Sequence, residues 1–277
     1  MNWRVNQVSI PVFDIDVSKN FYEFLLCNSV DDNQRNSTSE ECFISEGDID
    51  LRLFKLKNDI FQDNIIQSRR TYPTLALSGY ASLKKKIIEA GICFLDNKEK
   101  NSIIIQEPGL NFVELTNLSN DIGLCKNNTK ISWAFHHINL ECYDVRESVN
   151  FIKKYLKIEE GSWSPPAELG DVNISPNQLA IFNLDDNHSG IHINKADFTF
   201  GWRNKFLHNP TIGGHPAFNV KNIEFILEKL ERNYIPYTDA KVYAMPNIHQ
   251  VYLYDPSANI IELNQNIESK KLKQEKL

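Results

Sequence analysis

The hydrophobic and polar positions of this chain follow the period of a strand and then the period of a helix, and this order recurs in both halves. An apolar stretch with the spacing of a strand runs through Val8–Val12, and a similar one runs through Ile138–Cys142. After each stretch, a polar turn leads into apolar residues at helical spacing. These residues are Val17, Phe21, Phe24 and Leu25 in the first half, and Val145, Val149, Ile152 and Leu156 in the second. Each half therefore predicts a strand followed by an amphipathic helix.

The two segments are copies of each other, because residues 13–21 align without a gap with residues 143–151. Extended backwards, the alignment places Gln7 on His137. A second repeat matches Pro73–Leu77 and its following helix with Pro216–Val220 and its following helix, which places Tyr72 on His215.

Each half also closes with the same turn and exit strand. Residues 107–115 read Glu-Pro-Gly-Leu-Asn-Phe-Val-Glu-Leu, and residues 255–263 read Asp-Pro-Ser-Ala-Asn-Ile-Ile-Glu-Leu. The Pro, Gly and Asn residues are typical of a tight reversal, and the match places Glu114 on Glu262. The chain thus predicts four units, each made of a strand, a helix and about three further strands.

The length of 277 residues favours two domains, each built from two of these units. We expect an N-terminal domain over residues 1–122 and a C-terminal domain over residues 130–267. The polar stretch from Asn117 to Lys130 is the predicted linker. The charged residues 268–277 are predicted to form a frayed tail.

Three strand-like stretches of the second half each carry a residue that can ligate a metal. These residues are His137, His215 and Glu262. Two histidines and one carboxylate form the set that binds a divalent ion on one face and leaves its other face open. The matching residues of the first half are Gln7, Tyr72 and Glu114. Gln can ligate a metal, which leaves a second metal centre as an alternative, but Tyr is a poor ligand for a hard divalent ion. We therefore favour a duplicated scaffold without metal there.

Composition and charge narrow the classes of partner. The net charge of −6 argues against nucleic acid, because binding to phosphates requires clustered Lys and Arg. The run Lys84–Lys86 is most simply the solvated face of a helix. We expect no membrane segment and no signal peptide, and hence a cytoplasmic protein, because the chain has no long apolar stretch.

Taken together, the unit starts (strand, Asp, Ser and aromatic) and the unit ends (acid, Pro, Asn and Glu-Leu) resemble the vicinal oxygen chelate superfamily. That superfamily includes glyoxalase I, bleomycin-resistance proteins and extradiol dioxygenases. The resemblance covers nearly the whole chain. It implies an α+β fold of four βαβββ modules paired into two domains, each an open, cupped mixed sheet with helices outside.

Members with two domains and metal ligands only in the second resemble extradiol dioxygenases, and His137, His215 and Glu262 match the ligand positions of that subgroup. The resemblance implies an acid/base histidine at the start of the last strand of the third module, where His188 falls, and a tyrosine that matches Tyr252. A second histidine, His192, lies four residues after His188, so we expect both to face the same side of a strand. His249 is a third candidate for proton transfer. His136 is expected to face away from His137, because neighbouring side chains of a strand point to opposite faces.

These features lead to three hypotheses about function. The first is an Fe(II) extradiol-type dioxygenase that cleaves a catechol-like diol, a small molecule with adjacent oxygens; Mn(II) could replace the iron. The second is a glyoxalase-like isomerase, lyase or hydrolase that uses Ni(II) or Zn(II), with His192 as a fourth ligand. The third is a non-catalytic small-molecule binding protein on the same scaffold. Exposed sheet edges favour a homo-oligomer.

Overall fold

The computed structural model describes residues 2–26, 38–46, 49–57, 68–98, 100–118, 133–163, 175–184 and 189–267. Within these ranges the chain forms two mixed sheets of seven strands each. Neither sheet closes on itself, because each ends in two edge strands, β2 and β5 in the first sheet and β12 and β9 in the second.

The first sheet has the order β2-β3-β1-β4-β7-β6-β5. Its strands are β1 (Trp3–Val12), β2 (Glu41–Glu46), β3 (Ile49–Lys55), β4 (Tyr72–Leu77), β5 (Phe94–Asn97), β6 (Ser102–Gln106) and β7 (Phe112–Asn117), and its helices are α1 (Ile15–Leu26) and α2 (Tyr80–Glu89).

The second sheet has the equivalent order β12-β13-β14-β11-β8-β10-β9. Its strands are β8 (Trp133–Cys142), β9 (Leu179–Asn183), β10 (Gly190–Lys195), β11 (His215–Val220), β12 (Tyr237–Val242), β13 (Ile248–Tyr254) and β14 (Ile260–Asn266). Its helices are α3 (Val145–Phe151, continued by a π-helical turn over Ile152–Leu156), α4 (Phe200–Asn204) and α5 (Ile223–Arg232).

The predicted α+β fold of paired modules is confirmed by these two sheets. In the first and third modules, two strands follow the first helix within the described residues, where about three were predicted, and residues 27–37, 58–67, 164–174 and 185–188 lie outside the described residues. The same holds for residues 119–130 of the predicted linker and for the tail 268–277. The domain boundaries therefore stay a prediction. None of the helices in the described ranges has both the length and the apolar character needed to cross a bilayer.

The strand alternation separates an apolar face from a polar face. On β1, Val8 and Ile10 belong to the hydrophobic core, while Gln7 lines a cavity on the other face. On β8, Ile138 belongs to the same core, and His137 lines a cavity. One cluster of buried apolar residues includes members of both halves, while Gln7 and His137 line cavities on the opposite faces of their strands.

Helix α1 differs from its predicted apolar stripe. Val17 is 53% exposed, whereas Ser18 and Tyr22 are buried. The helix begins at Ile15, and the Asp14 carboxylate accepts a hydrogen bond from the Val17 N–H, which places Val17 in the first turn on the outer side. The core side of α1 therefore includes the polar residues Ser18 and Tyr22.

The closing turn of each half docks onto the other half. Asn259 donates through Nδ2 to the carbonyl of Pro11 at 2.8 Å, and Asn111 donates through Nδ2 to the carbonyl of Glu141 at 2.8 Å. Pro11 and Glu141 are themselves equivalent in the repeat. The Asn of each turn thus links the halves as well as reversing the chain, and the two contacts are related by the internal symmetry.

Tyr22 strengthens one of these contacts. Its hydroxyl lies 3.0 Å from Oδ2 of Asp255, and both residues are buried. Burial, followed by the charge of Asp255, raises the pKa of Tyr22 well above its usual value. The phenol therefore keeps its proton and donates a hydrogen bond to Asp255.

We predict that Tyr22→Phe lowers the free energy of unfolding by about 1–2 kcal/mol, because a buried carboxylate loses a donor. Urea unfolding followed by circular dichroism measures the change. Tyr237→Phe is the matched control, since the Tyr237 hydroxyl donates to Glu231 in an exposed pair and its loss should cost under about 0.5 kcal/mol. Equal effects of the two variants would contradict this assignment.

Candidate metal centre

Three adjacent strands bring His137, His215 and Glu262 together. Strand β11 lies between β8, to which it is antiparallel, and β14, to which it is parallel. Ala217 pairs with both His137 and Glu262, and His215 precedes Ala217 by two residues, so the three side chains share one face of the sheet. All three are at least 98% buried.

The distances among the three residues suit a divalent ion. Oε2 of Glu262 lies 3.0 Å from Nε2 of His215 and 3.4 Å from Nε2 of His137, and all three ligand atoms lie within 4.8 Å of one another. Ligand atoms about 2.1 Å from one ion and about 90° apart would lie about 3.0 Å from each other. Two imidazoles and a carboxylate are also a suitable donor set, so the residues fit such an ion.

The electrostatics favour the protonation states of Glu262 and His215 that ligation requires. Burial alone would raise the pKa of Glu262, but the charge and hydrogen bond of His137 and the hydrogen bond of His215 outweigh it and hold that pKa well below its usual value. Burial lowers the pKa of His215, and its contacts with Glu262 offset only part of this effect. Glu262 is therefore a carboxylate and His215 a neutral imidazole at neutral pH.

Strand β13 supplies two further polar groups beside the carboxylate. Nε2 of Gln250 donates to Oε1 of Glu262 at 2.9 Å and to the hydroxyl oxygen of Tyr252 at 3.0 Å. Burial, followed by the charge of Glu262, raises the pKa of Tyr252 well above its usual value. Tyr252 thus stays a neutral phenol. Because Gln250 is the donor in their hydrogen bond, the hydroxyl proton of Tyr252 is not donated to Gln250.

His192 lies beside His137 on β10. The two rings stack with centroids 3.8 Å apart and planes inclined by 16°, and His192 is 7% exposed. His192 pairs with Asn139, two residues after His137, just as Glu262 pairs with Ala217, two residues after His215. His192 therefore occupies the place in the third module that Glu262 occupies in the fourth.

Of the other two candidate histidines, His249 alone lies within the described residues. His188 lies outside the described residues, so its role stays a prediction. Nε2 of His249 lies 2.6 Å from Oδ1 of Asp239 on the neighbouring strand. Because Gln250 and Tyr252 contact the site and strand residues alternate, His249 faces the opposite side of β13.

The expectation for His136 is wrong. Its Nδ1 lies 2.7 Å from Nδ1 of His137, and the ring is buried. The pairing of β8 with β11 passes from His137 directly to Phe135, so His136 is the extra residue of a β-bulge. A bulge brings two successive side chains towards one side, which the alternation rule does not anticipate. Asn6 is skipped in the same way on β1, so both halves have the bulge.

His136 can fix the tautomer of His137. Nε2 of His137 points to Glu262, so ligation through Nε2 requires the ring proton on Nδ1. Nδ1 of His136 is within hydrogen-bond distance to accept that proton. Ligating histidines commonly donate their second N–H to an acceptor that orients the ring.

The first half holds a different set at the equivalent places. Arg52 pairs with Ser9, two residues after Gln7, and so stands where His192 stands in the second half. Its Nη1 donates to the Tyr72 hydroxyl at 3.3 Å, while Glu114 accepts from the hydroxyls of Thr74 and Ser102. Burial alone would lower the pKa of Arg52, but Tyr72, then Glu41, which pairs with Arg52 at 2.8 Å, and last Glu114 outweigh burial and raise that pKa. A fixed cation near Glu114 disfavours a second ion, so a metal-free first half stays the prediction.

The chain was compared with protein-family models, curated proteins and solved structures. No family model and no curated protein matches it. Among solved structures, it is similar to the 2,3-dioxygenase LapB from Pseudomonas sp. KL28, with a TM-score of 0.63 and 11% identity over 95% of this chain and 91% of that one. A Mn(II)-bound glyoxalase from Novosphingobium aromaticivorans gives 0.59 and 14% identity over 96% and 83%. A variant of homoprotocatechuate 2,3-dioxygenase from B. fuscum gives 0.63 and 14% identity over 94% and 70%.

These likenesses span both halves of the chain. The TM-scores of 0.59–0.63 establish the fold, whereas identities of 11–14% leave the reaction open. The protein therefore has the vicinal oxygen chelate fold, which extradiol dioxygenases and a glyoxalase-like protein share, and the fold expected from the sequence resemblance is confirmed.

We predict that His136→Phe lowers the affinity for a divalent ion about 10- to 100-fold, because Nδ1–H of His137 loses its acceptor. His136→Asn is the conservative control. Asn is the residue in the equivalent bulge of β1, and its Oδ1 can take the place of the imidazole Nδ1, so this variant should lose only a few-fold. Competition with a chelating dye measures both affinities. An unchanged affinity in His136→Phe would show that His136 only packs.

Proposed function

We propose that this protein is a metal-dependent enzyme that cleaves a catechol-like diol with O2, in the manner of an extradiol dioxygenase. The carrying observation is the buried set of two imidazoles and one carboxylate, with ligand atoms at facial spacing. Such a set leaves about three positions of an ion open, enough for two substrate oxygens and O2. Similarity to two 2,3-dioxygenases over most of the chain supports the same class.

His137, His215 and Glu262 would hold the ion, with Fe(II) as the favoured metal and Mn(II) as the substitute. When bound, the ion would supply Lewis acidity that lowers the pKa of an adjacent substrate hydroxyl. The hard carboxylate and the neutral imidazoles are compatible with either metal.

Two side chains are suited to handle protons next to that position. An imidazole nitrogen of His192 can take the proton of a substrate hydroxyl and later return it, because imidazole titrates near neutral pH. The Tyr252 hydroxyl can donate its proton to a substrate oxygen, since Gln250 only donates to it. Both residues line the cavity that also contains His137 and Glu262.

A glyoxalase-like isomerase or lyase is the second candidate. The observation in its favour is the register of His192, which matches that of Glu262 and so suits a fourth ligand. A Mn(II)-bound glyoxalase is also among the similar structures. In this case the reaction would need no O2. The third hypothesis, a binder without metal, gives no reason for a buried set of ligating side chains.

We predict that the chain, purified without oxygen and loaded with Fe(II), binds about one ion. The loaded protein should consume O2 with a catechol and give a yellow ring-opened product. Glu262→Gln should abolish tight metal binding, because it removes the anionic ligand. Glu114→Gln is the matched control in the first half and should retain the ion and the activity. Metal content by elemental analysis and O2 uptake with an electrode are the measurements.

Loaded protein that takes up no O2 with a broad panel of diols would overturn the dioxygenase function and leave the isomerase. Protein that binds no metal, or that loses its metal through Glu114→Gln, would overturn both functions.

A second prediction separates the two candidate functions at His192. For a dioxygenase, His192→Ala should keep metal affinity within a few-fold of the parent and lower kcat about 10²- to 10⁴-fold, as expected for loss of an acid/base group. For a glyoxalase-like enzyme, the same change removes a ligand and should lower metal affinity. Dye competition and turnover measured on the same preparation distinguish these outcomes.

A further inference from the structure

The two carboxylate oxygens of Glu262 face different neighbours. Oε2 lies 3.0 Å from Nε2 of His215 and 3.4 Å from Nε2 of His137. Oε1 instead accepts a hydrogen bond from Nε2 of Gln250 at 2.9 Å. A carboxylate can bind an ion through one oxygen or through both. The neighbours of Glu262 therefore affect how many positions of an ion its carboxylate would occupy.

The groups around Gln250 fix the orientation of its amide. The backbone N–H of Ala244 donates to Oε1 of Gln250 at 2.8 Å, and an N–H group requires an acceptor. On the other side, the ionised carboxylate of Glu262 can only accept, so Nε2 has to face it. The second proton of Nε2 is donated to the hydroxyl oxygen of Tyr252 at 3.0 Å. A flipped amide would place its oxygen against the carboxylate and its NH2 group against the N–H of Ala244.

Gln250 is also held rigidly by its strand and its burial. It is 1% exposed and lies on β13, where it pairs with Asn264, two residues after Glu262. Both protons of its amide nitrogen have acceptors, and its amide oxygen has a donor. Oε1 of Glu262 therefore has a fixed donor from the protein in a place that bulk water does not reach.

The number of open positions determines which chemistry an ion can support at this site. Two imidazoles and one carboxylate oxygen leave about three positions open, enough for two substrate oxygens and O2. If both oxygens of Glu262 bound the ion, about two positions would remain, and a bound diol would leave none for O2. A donor fixed at Oε1 competes with the ion for that oxygen.

We propose that Gln250 is a positioning residue of the metal centre, which holds Oε1 of Glu262 so that the carboxylate ligates through Oε2 alone and about three positions of the ion stay open. This inference rests on the proposed function, because it requires an ion held by His137, His215 and Glu262. Gln250 acts through Glu262 and takes no part in proton transfer.

The first half of the chain identifies a conservative variant. Ser102 stands where Gln250 stands, two residues before the strand partner of the carboxylate, and its hydroxyl donates to Oε1 of Glu114. A serine at this register thus reaches the equivalent oxygen, so Gln250→Ser should keep a donor to Oε1 of Glu262. Gln250→Met removes the donor but keeps the length of the side chain, which prevents water from filling the space.

The number of water molecules on bound Mn(II) tests the assignment. The full chain is loaded with Mn(II) without substrate, and the broadening of its electron paramagnetic resonance signal in ¹⁷O-enriched water gives this number. We expect about three waters in the parent protein and in Gln250→Ser, but about two in Gln250→Met, where the freed oxygen of Glu262 also binds the ion. Loss of a side chain that only packs would leave the number unchanged. O2 uptake by the Fe(II)-loaded Gln250→Met variant with catechol should fall about 10- to 100-fold.

About three waters in a folded Gln250→Met variant would overturn the inference and leave the metal site standing, and so would about two waters in the parent protein. A loss of one water in both variants would also overturn it, since the volume of the side chain rather than its hydrogen bond would then set the number. Thermal melts show whether each variant is folded, and Gln250→Leu replaces Gln250→Met if the latter unfolds. If the parent protein binds no Mn(II), the proposed function itself fails, and the inference fails with it.

Discussion

Glu262 places a negative charge at a point of the second half from which water is almost excluded. Burying an unpaired carboxylate costs several kcal/mol, so the surrounding strands have to supply donors. His215, His137 and Gln250 do so from three different strands, at 3.0, 3.4 and 2.9 Å from its oxygens. The arrangement that stabilises the carboxylate is also the one that converges three ligand atoms. Fold stability would therefore be coupled to the proposed metal binding through one side chain.

The first half stabilises the equivalent carboxylate by other means. Hydroxyls of Thr74 and Ser102 donate to Glu114, and Ser102 stands where Gln250 stands in the second half, two residues before the partner of the carboxylate across the hairpin. The guanidinium of Arg52 stands at the position equivalent to that of His192. A guanidinium stays protonated and cannot ligate, so the first half has a fixed cation where the second half has the imidazole of His192. The two sheets thus have the same strand order and differ in the side chains that surround the buried carboxylate, Glu114 or Glu262.

The sequence could predict whatever depends on the repeat. Aligning the halves placed His137, His215 and Glu262 at matching strand positions, and the structure brings them together because those positions share a face. The bulge at His136 was missed because strict alternation was assumed. A signal was present, since the core residues Val5 and Val8 are three positions apart, and Trp133 and Ile138 are five apart. Odd spacings within a strand require an extra residue. Arg52 was missed because its position beside Tyr72 depends on cross-strand register.

The position of the bulge explains how the site gains a second imidazole without losing the first. A one-residue insertion reverses which side chains face the core, but only on one side of the insertion. Here the reversed residues precede His136, and Trp133 still reaches the core by packing against Phe218, with ring centroids 5.2 Å apart. Residues after the bulge keep their pairing with β10 and β11, so His137 and Asn139 stay on the polar face of the sheet. The bulge therefore adds the buried His136 beside His137 without moving His137 away from the other two candidate ligands.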